Sequence, residues 1–515
     1  MSLTPVVSPS ILGPGLYLSV NLLAGAASPG TGTLRIALVA TKGSSGDLTD
    51  DTEVRTLSGT GTDASGSATS FGPGTPGDLA ARRLFSRYGA AVIDAISPVA
   101  GATAATASIT ASGATSVDSV VDVDIAGRSF EVVWGAGVSL ADFATALIDA
   151  INARGNDLPV TAASGGAGVC TVTSKITGNI GNDIYIHCDV RDQQGTEAVG
   201  GATAWTTKLT GGTTDPNLTN ALAALAGKEY HFIVPVLSNT DIANTGTANN
   251  VSKIIDHIEL YNEGKNAKLQ QTVYGYTGSL ATAIAAAPHS NAGSNSEYGE
   301  CLLCINGRSL PGEFGAEEAG ARIAAISVDP AYNRIGEEYV GLYGAHDKIA
   351  DQPTSTEVEQ ALGAGVSIVG YTAQDAEYLI RGITTHSQDS AGGADRRLLD
   401  TQNVDGTFVV ARDLRSQTPI QFEGAKIMPD RTDPTTPLPP NVSEERDIKA
   451  FIVSRIRYWE GQGVVYGEGF DEILENDELI VQINASDATQ VDTYIPFEII
   501  QPLAKIGMEV ARIPS

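Results

Sequence analysis

"YHFIVPVL" (230–237), "NVSKIIDHIELYN" (250–262) and "LQQTVYGY" (269–276) follow one another across mainly polar loops. The outer two are short apolar runs bounded by turn residues, and the middle one has the length and period of a helix. Strand, helix and strand in that order make a parallel pair with a crossover. The pattern extends in both directions. A helix is expected at "NLTNALAALAG" (217–227), and after residue 276 come helix "SLATAIAAA" (279–287), strand "ECLLCING" (300–307) and helix "FGAEEAGARIAAI" (314–326). Upstream, "TLRIALVAT" (33–41) reads as a buried strand. A polar loop then runs to residue 77, followed by a helix carrying Leu79, Leu84, Phe85 and Tyr88 and the strand "AAVIDAIS" (90–97). The expected fold is α/β, with a central, mostly parallel sheet covered by helices.

A β-rich unit interrupts this alternation at residues 101–212. Val121, Val123 and Ile125 alternate with Asp122 and Asp124, and a turn at Gly127 leads into "SFEVVW" (129–134), which together predict a hairpin. One helix follows, capped by Ser139 with Asp142 three residues on and buried through Leu140, Phe143, Leu147 and Ile151. Further strands are expected at "VCTVTS" (169–174) and "DIYIHCDV" (183–190), and the Gly-rich edges "GATAAT" (101–106) and "LTGGTTDP" (209–216) mark the seams of an inserted domain.

A third unit, α+β in character, is expected from residue 377. "EYLIRGITTHSQ" (377–388) reads as a strand, and a Pro/Asp-rich loop leads to a helix from Ser443 to Gly461, capped by Ser443. Its apolar stripe is Ile448, Phe451, Ile452, Ile456 and Trp459. Two strands follow, with Leu479, Val481 and Ile483 on one face of the first and Val491, Thr493, Ile495 and Phe497 on one face of the second. Both chain ends are strand-like as well. Leu16, Leu18, Val20 and Leu22 alternate near the N-terminus, and Ile506, Met508 and Val510 alternate near the C-terminus. The expected organisation is an N-terminal arm and linker (1–32), a divided α/β core (33–100 and 213–376), the inserted unit (101–212), the C-terminal domain (377–503) and an arm strand (504–515).

The net charge of −28 disfavours nucleic acid or an anionic membrane as a direct partner, since both reward clustered Lys and Arg. Met1 to Ser10 holds no basic residue, so the N-terminal stretch does not read as a secretion signal, and Pro14 and Gly15 interrupt it too early for a membrane span. No G-x-S-x-G elbow, phosphate loop or H-E-x-x-H helix is present, and no cofactor is expected. Cys301 and Cys304 form an isolated C-x-x-C inside an expected strand, His187 and His231 fall in strands and read as structural, and Asp122 and Asp124 read as a solvated face. Arg446, Lys449, Arg455 and Arg457 stand out in an acidic chain. They read either as a solvated helix face or as a docking strip for an acidic partner.

The succession "YLIRGITTHSQ" (378–388), "DRRLLDT" (395–401), "ERDIKAFIVSRIRYWEGQGVV" (445–465) and "ELIVQINASDATQVDTYIPFEIIQPLAKIGMEVARI" (478–513) resembles the C-terminal part of contractile-tail sheath proteins of Mu-like phages. "DIAGRSFEVVWGAGVSLADFATALIDAINA" (124–153), "TGNIGNDIYIH" (177–187) and "DPNLTNALAAL" (215–225) are similar to that group too. The resemblance implies a virion-tail protein assembled in the host cytoplasm, without enzymatic activity, whose subunits stack as six-membered rings around an inner tail tube and contract. It further implies a subtilisin-like core, an outward insertion and an inner C-terminal domain that gathers arm strands from neighbouring subunits. The acceptor strands would then be those carrying Leu479, Val481, Ile483, Val491 and Ile495, and the inner-tube strip would be the four cations of the late helix. Beyond the chain itself and the inner tube protein, the implied partners are baseplate and tail terminator proteins. The alternative weighed is a secreted acidic surface protein, an adhesin or an array-forming layer.

Overall fold

The computed structural model describes residues 34–59, 64–113, 115, 118–191, 198–201, 204–244, 249–262, 268–287, 300–304, 308–339, 342, 352–372, 376–386, 400–432 and 437–501. The protein is a mixed α/β molecule of several domains.

The chain opens with β1 (Arg35–Val39), β2 (Arg55–Gly59), β3 (Ala64–Ser65), α1 (Ser67–Phe71), α2 (Pro76–Arg87) and β4 (Val92–Ile96). Three of these elements lie where a loop to residue 77 was expected. They are short and polar, and β2 owes its strand conformation to antiparallel pairing with β4, a contact across 38 residues between Thr56 and Asp94.

The inserted unit comprises β5 (Ala104–Ser112), β6 (Ser119–Ile125), β7 (Arg128–Trp134), α3 (Leu140–Ala153), β8 (Val160–Gly166), β9 (Val169–Thr177), a 3-10 turn at Asn179–Asp183, β10 (Tyr185–Arg191), β11 (Ala198–Val199) and β12 (Ala204–Lys208). Its strands form two four-stranded sheets, β12-β10-β6-β7 and β11-β5-β9-β8. Alternate residues of each, with the buried face of α3, enclose one apolar cluster in which Trp134 stacks on Phe143 at 4.2 Å between ring centroids. The Ser139 hydroxyl oxygen accepts the Asp142 N–H at the start of α3. The incoming and outgoing chains run side by side through bridges Thr103↔Thr213 and Thr106↔Thr210. Gly101 is required there, because a Cβ would lie 2.3 Å from the Thr214 carbonyl oxygen.

The core resumes with α4 (Thr219–Leu225), β13 (Phe232–Pro235), α5 (Asn239–Ile242), α6 (Asn250–Asn262), β14 (Gln271–Tyr276), α7 (Leu280–Ala286), β15 (Glu300–Cys304), α8 (Pro311–Val328), α9 (Ser355–Gly363), β16 (Val366–Tyr371) and β17 (Glu377–Arg381). The central sheet has nine strands in the order β17-β16-β15-β14-β13-β1-β4-β2-β3. From β16 to β4 every neighbouring pair is parallel, and antiparallel strands close both edges. Ile36 and Leu38 of β1 pack on the side of α2 and α8, whereas Ala37 and Val39 pack on the side of α4 and α6. That two-sided burial explains why the strand reads as an unbroken apolar run rather than an alternation.

The last elements are α10 (Thr401–Gln421), β18 (Lys426–Met428), β19 (Val442–Glu444), α11 (Glu445–Gly461), α12 (Gly467–Glu475), β20 (Ile480–Ile483) and β21 (Val491–Tyr494). The boundary expected at residue 377 falls inside the central sheet, because β17 is its antiparallel edge on β16. The joint lies in α10 instead. Val404, Phe408 and Ala411 belong to the core of the sheet, while Val409, Val410 and Leu414 belong to the C-terminal cluster with Ile452, Ile456, Trp459 and Phe470. The cap expected at Ser443 is also displaced by one residue. Parallel pairing of β18 with β19 takes up Ser443, and Glu444 caps α11 reciprocally with Asp447.

Candidate functional site

β20 and β21 form a two-stranded antiparallel sheet with the register Ile480↔Tyr494 to Ile483↔Val491. Leu479 is buried, and Val481, Ile483, Val491 and Ile495 are half-buried. Val481 and Ile495 pack on the cluster beneath α11. Glu445 accepts the Ile483 N–H at 2.6 Å, which occupies one end of the β20 edge with a side chain. Among the described residues no strand lies beside the outer edge of β21. An isolated hairpin is marginal in water, and an open strand edge is a template for a further strand. After β21 the chain turns back along residues 464–466. There Tyr466 N–H donates to Glu498 O and Ile500 N–H to Val464 O, while the Asn403 side chain donates to Gln501. The chain is therefore held down up to residue 501. The expected arm residues Leu16, Leu18, Val20, Leu22, Ile506, Met508 and Val510 lie outside the described residues.

The four cations of the late helix each meet a carboxylate within the chain. Arg446 pairs with Glu444, Lys449 with Asp477, and Arg457 with Glu460 and Asp471. Arg455 is turned into the joint between α10 and α11. It grips Asp413 through Nε and Nη2, both at 2.6 Å to the carboxylate oxygens, and Trp459 Nε1 donates to the same carboxylate at 3.0 Å. Asp413 sits 42 residues away on an element the sequence reading did not identify, so this partnership left no local signal.

The carboxyl edge of a parallel sheet is where α/β folds bind ligands, above all where the strand order reverses. Here that reversal lies between β1 and β13. The inserted unit fills it. Ile176 and Ile180 join the apolar cluster of β1 and α2, and a Cβ on Gly43, just beyond β1, would meet Lys175 O at 2.9 Å. Beyond β13, Asn239 donates its N–H and its amide to Asp183, each at 2.8 Å, and its Oδ1 accepts the Thr277 N–H. Asp215 accepts from Ser238 at 2.6 Å and from Asn179 at 2.7 Å. Burial pushes the pKa of Asp183 up to about 6 despite the Asn239 hydrogen bonds, and burial pushes Asp241 up to about 6 as well, with Asp215 adding to it and Asn250 opposing.

Asp124 departs from the solvated face expected for it. It is 3% exposed and accepts from Gly127 N–H, Ser129 Oγ and, at 2.7 Å, Arg308 of the core. Asp122 pairs with Arg191, which also reaches Glu131. His187 is buried with Nδ1 2.7 Å from Thr206 Oγ1, and His231 is buried with Nδ1 accepting the Arg35 N–H. Burial, reinforced by the nearby Arg412, drives His231 well below the usual imidazole range. Cys301 and Cys304 lie on β15, an interior strand of the sheet. Among the described residues no group of three His, Cys, Asp or Glu is placed to hold a metal ion, and no helix is long and apolar enough to cross a membrane.

No known protein family matches the chain, and no curated protein sequence matches it.

Proposed function

We propose that this chain is the structural subunit of a contractile tail sheath, polymerising around an inner tube and contracting to drive it through a target envelope. The observation that carries the reading is the β20–β21 hairpin, a two-stranded sheet with no further strand on its β21 edge among the described residues, in a chain whose two ends both alternate like strands. Adding a neighbour's arm to that edge would complete a sheet whose main-chain bonds survive while subunits slide and rotate. The run of parallel strands covered by helices on both faces is compatible with a subtilisin-like core. The work is mechanical rather than catalytic, in keeping with a carboxyl edge filled by the protein's own side chains. The proposed partners are further copies of the chain, the inner tail tube protein, and the baseplate and terminator proteins that bound a tail, and the proposed location is the virion tail.

Two measurements test this. Negative-stain microscopy of the purified protein should show striated hollow tubes, and a population of uniform globules would count against the reading. Removal of residues 504–515 should leave a folded, soluble monomer that no longer polymerises, because contacts on the N-terminal side of the cut already hold the chain down as far as Gln501. Normal tubes from that truncation would refute the role given to the C-terminal arm.

A further inference from the structure

A cleft of about 820 Å³ opens between the inserted unit and the core. One wall is the second half of α2, with Arg82, Arg83 and Phe85. The other is the β6–β7 turn and the end of α3, with Arg128, Arg154 and Asp157, and Glu313 of α8 lies at its floor. Four arginines line it, Arg82, Arg83, Arg128 and Arg154, and four carboxylates accompany them, Asp157 and Glu313 in the lining and Asp78 and Glu317 behind it as partners of Arg82 and Arg83. Three of those carboxylates sit beneath the surface, with side-chain exposures of 0% for Asp78, 3% for Glu313 and 2% for Glu317. The arginines above them are reachable: Arg82 and Arg128 keep 29% and 25% exposure, and Arg154 is exposed. A solute in the cleft therefore meets guanidinium groups, together with the exposed carboxylate of Asp157 that Arg82 holds, in a chain whose net charge is −28.

The cations are also held in place. Arg82 is clamped between Asp78 at 2.7 Å and Asp157 at 3.1 Å, so it already links the core to the inserted unit. Arg128 grips both oxygens of Glu313 at 2.6 and 3.1 Å. Arg154 lies over the Phe130 ring at 4.9 Å from its centroid, which fixes the guanidinium without using its hydrogen-bonding fork. A guanidinium fork such as that of Arg154 matches carboxylate and phosphate oxygens, with the already paired and partly exposed Arg82 and Arg128 beside it, and the volume lies in the range of small-molecule pockets.

We propose that this cleft binds a compact oxyanion carrying two or more negative charges, of the polyphosphate or polycarboxylate class, and that the bound anion braces the inserted unit against the core. The site stands whether or not the chain polymerises. It is tested by calorimetric titration of the full chain with pyrophosphate and, separately, with citrate, each against sodium chloride of matched ionic strength, with thermal unfolding followed in parallel. Saturable binding of at least one anion is expected, with a rise in unfolding temperature, and the stronger of the two assigns the class. Arg154→Glu, at an exposed position, should fold like the parent and lose roughly tenfold or more in affinity, as for one charge-assisted partner replaced by a repelling charge. Arg154→Lys, which keeps the charge and loses the fork, should fall between them. Failure of the parent to bind either anion saturably at millimolar concentration, or equal binding by Arg154→Glu, would overturn the proposal.

Discussion

His257 lies on α6 with its ring tilted against Tyr261, and burial together with nearby Lys268 pushes its pKa down to about 4. In the unfolded chain it would titrate near 6.5. Protonation thus favours unfolding, and stability present above pH about 6.5 is lost as the pH falls toward 4. Asp183 and Asp241 act in the opposite sense. Their folded pKa values of about 6 exceed the unfolded value of roughly 3.9, so the stability they add is full at low pH and is lost as the pH rises through 6. A His257→Leu variant separates the two effects. Relative to the parent it should change little at pH 7 and be more stable at pH 4.5, by up to about 2–3 kcal/mol, measured as the difference between chemical-denaturation curves. Parallel pH profiles for variant and parent would show that His257 does not carry the dependence.

At the level of elements, α10 holds the molecule together. Toward the sheet, its Asp405 receives the fully buried Arg322 at 2.6 and 2.8 Å, and Gln271 donates to the same carboxylate. Toward α11, its Asp413 receives Arg455 and Trp459. Asp413→Ala would leave that guanidinium and indole N–H without their acceptor, at a cost of roughly 2–4 kcal/mol, read from equilibrium unfolding. Because Arg455 belongs to this joint, reversing its charge tests the fold rather than docking to a tube. The docking idea is better examined with Lys449→Glu combined with Arg457→Glu, whose partners Asp477 and Asp471 are themselves exposed. That double variant should keep the parent's unfolding temperature and weaken assembly around the inner tube, more so at low salt, since exposed pairs are individually weak and screened. Unaltered tube attachment would return both residues to an ordinary solvated face.

Across the whole molecule, the inserted unit is seated rather than merely tethered. Leu79 and Leu310 of the core are 4% and 0% exposed and belong to the apolar cluster of the insertion. Around them, Arg128–Glu313 and Arg308–Asp124 cross the same junction. Joining residue 100 to residue 213 is geometrically easy, because the chains at the seam already run side by side. The excision nevertheless uncovers both leucines, each worth about 1.5–3 kcal/mol of burial. The excised chain is therefore expected to aggregate as such and to become soluble, with helical circular dichroism retained, once Leu79→Lys and Leu310→Gln are added. Solubility of the simple excision, with the leucines untouched, would show that the junction contributes little.

Elements whose signal lies in their own residues were legible. The parallel strands β1, β13 and β14 stand out as short apolar runs because both of their faces are buried, and α3 announces itself through Ser139, Asp142 and a buried stripe. Both signals live in contiguous residues, where strand and helix periods are written directly. α10 was not legible, since a helix buried by two different cores and carrying Asp405, Arg412 and Asp413 on its inner surfaces has no single apolar stripe. The same holds for β2, which exists by pairing with β4, and for the seat of Asp124, whose partner Arg308 lies 184 residues away. Local alternation by itself determined the α/β class, the inserted unit and most of the elements. Only the tertiary structure decided which charges are consumed inside the molecule and where the C-terminal unit begins, because those outcomes depend on which distant residues the sheet order brings within a few ångströms.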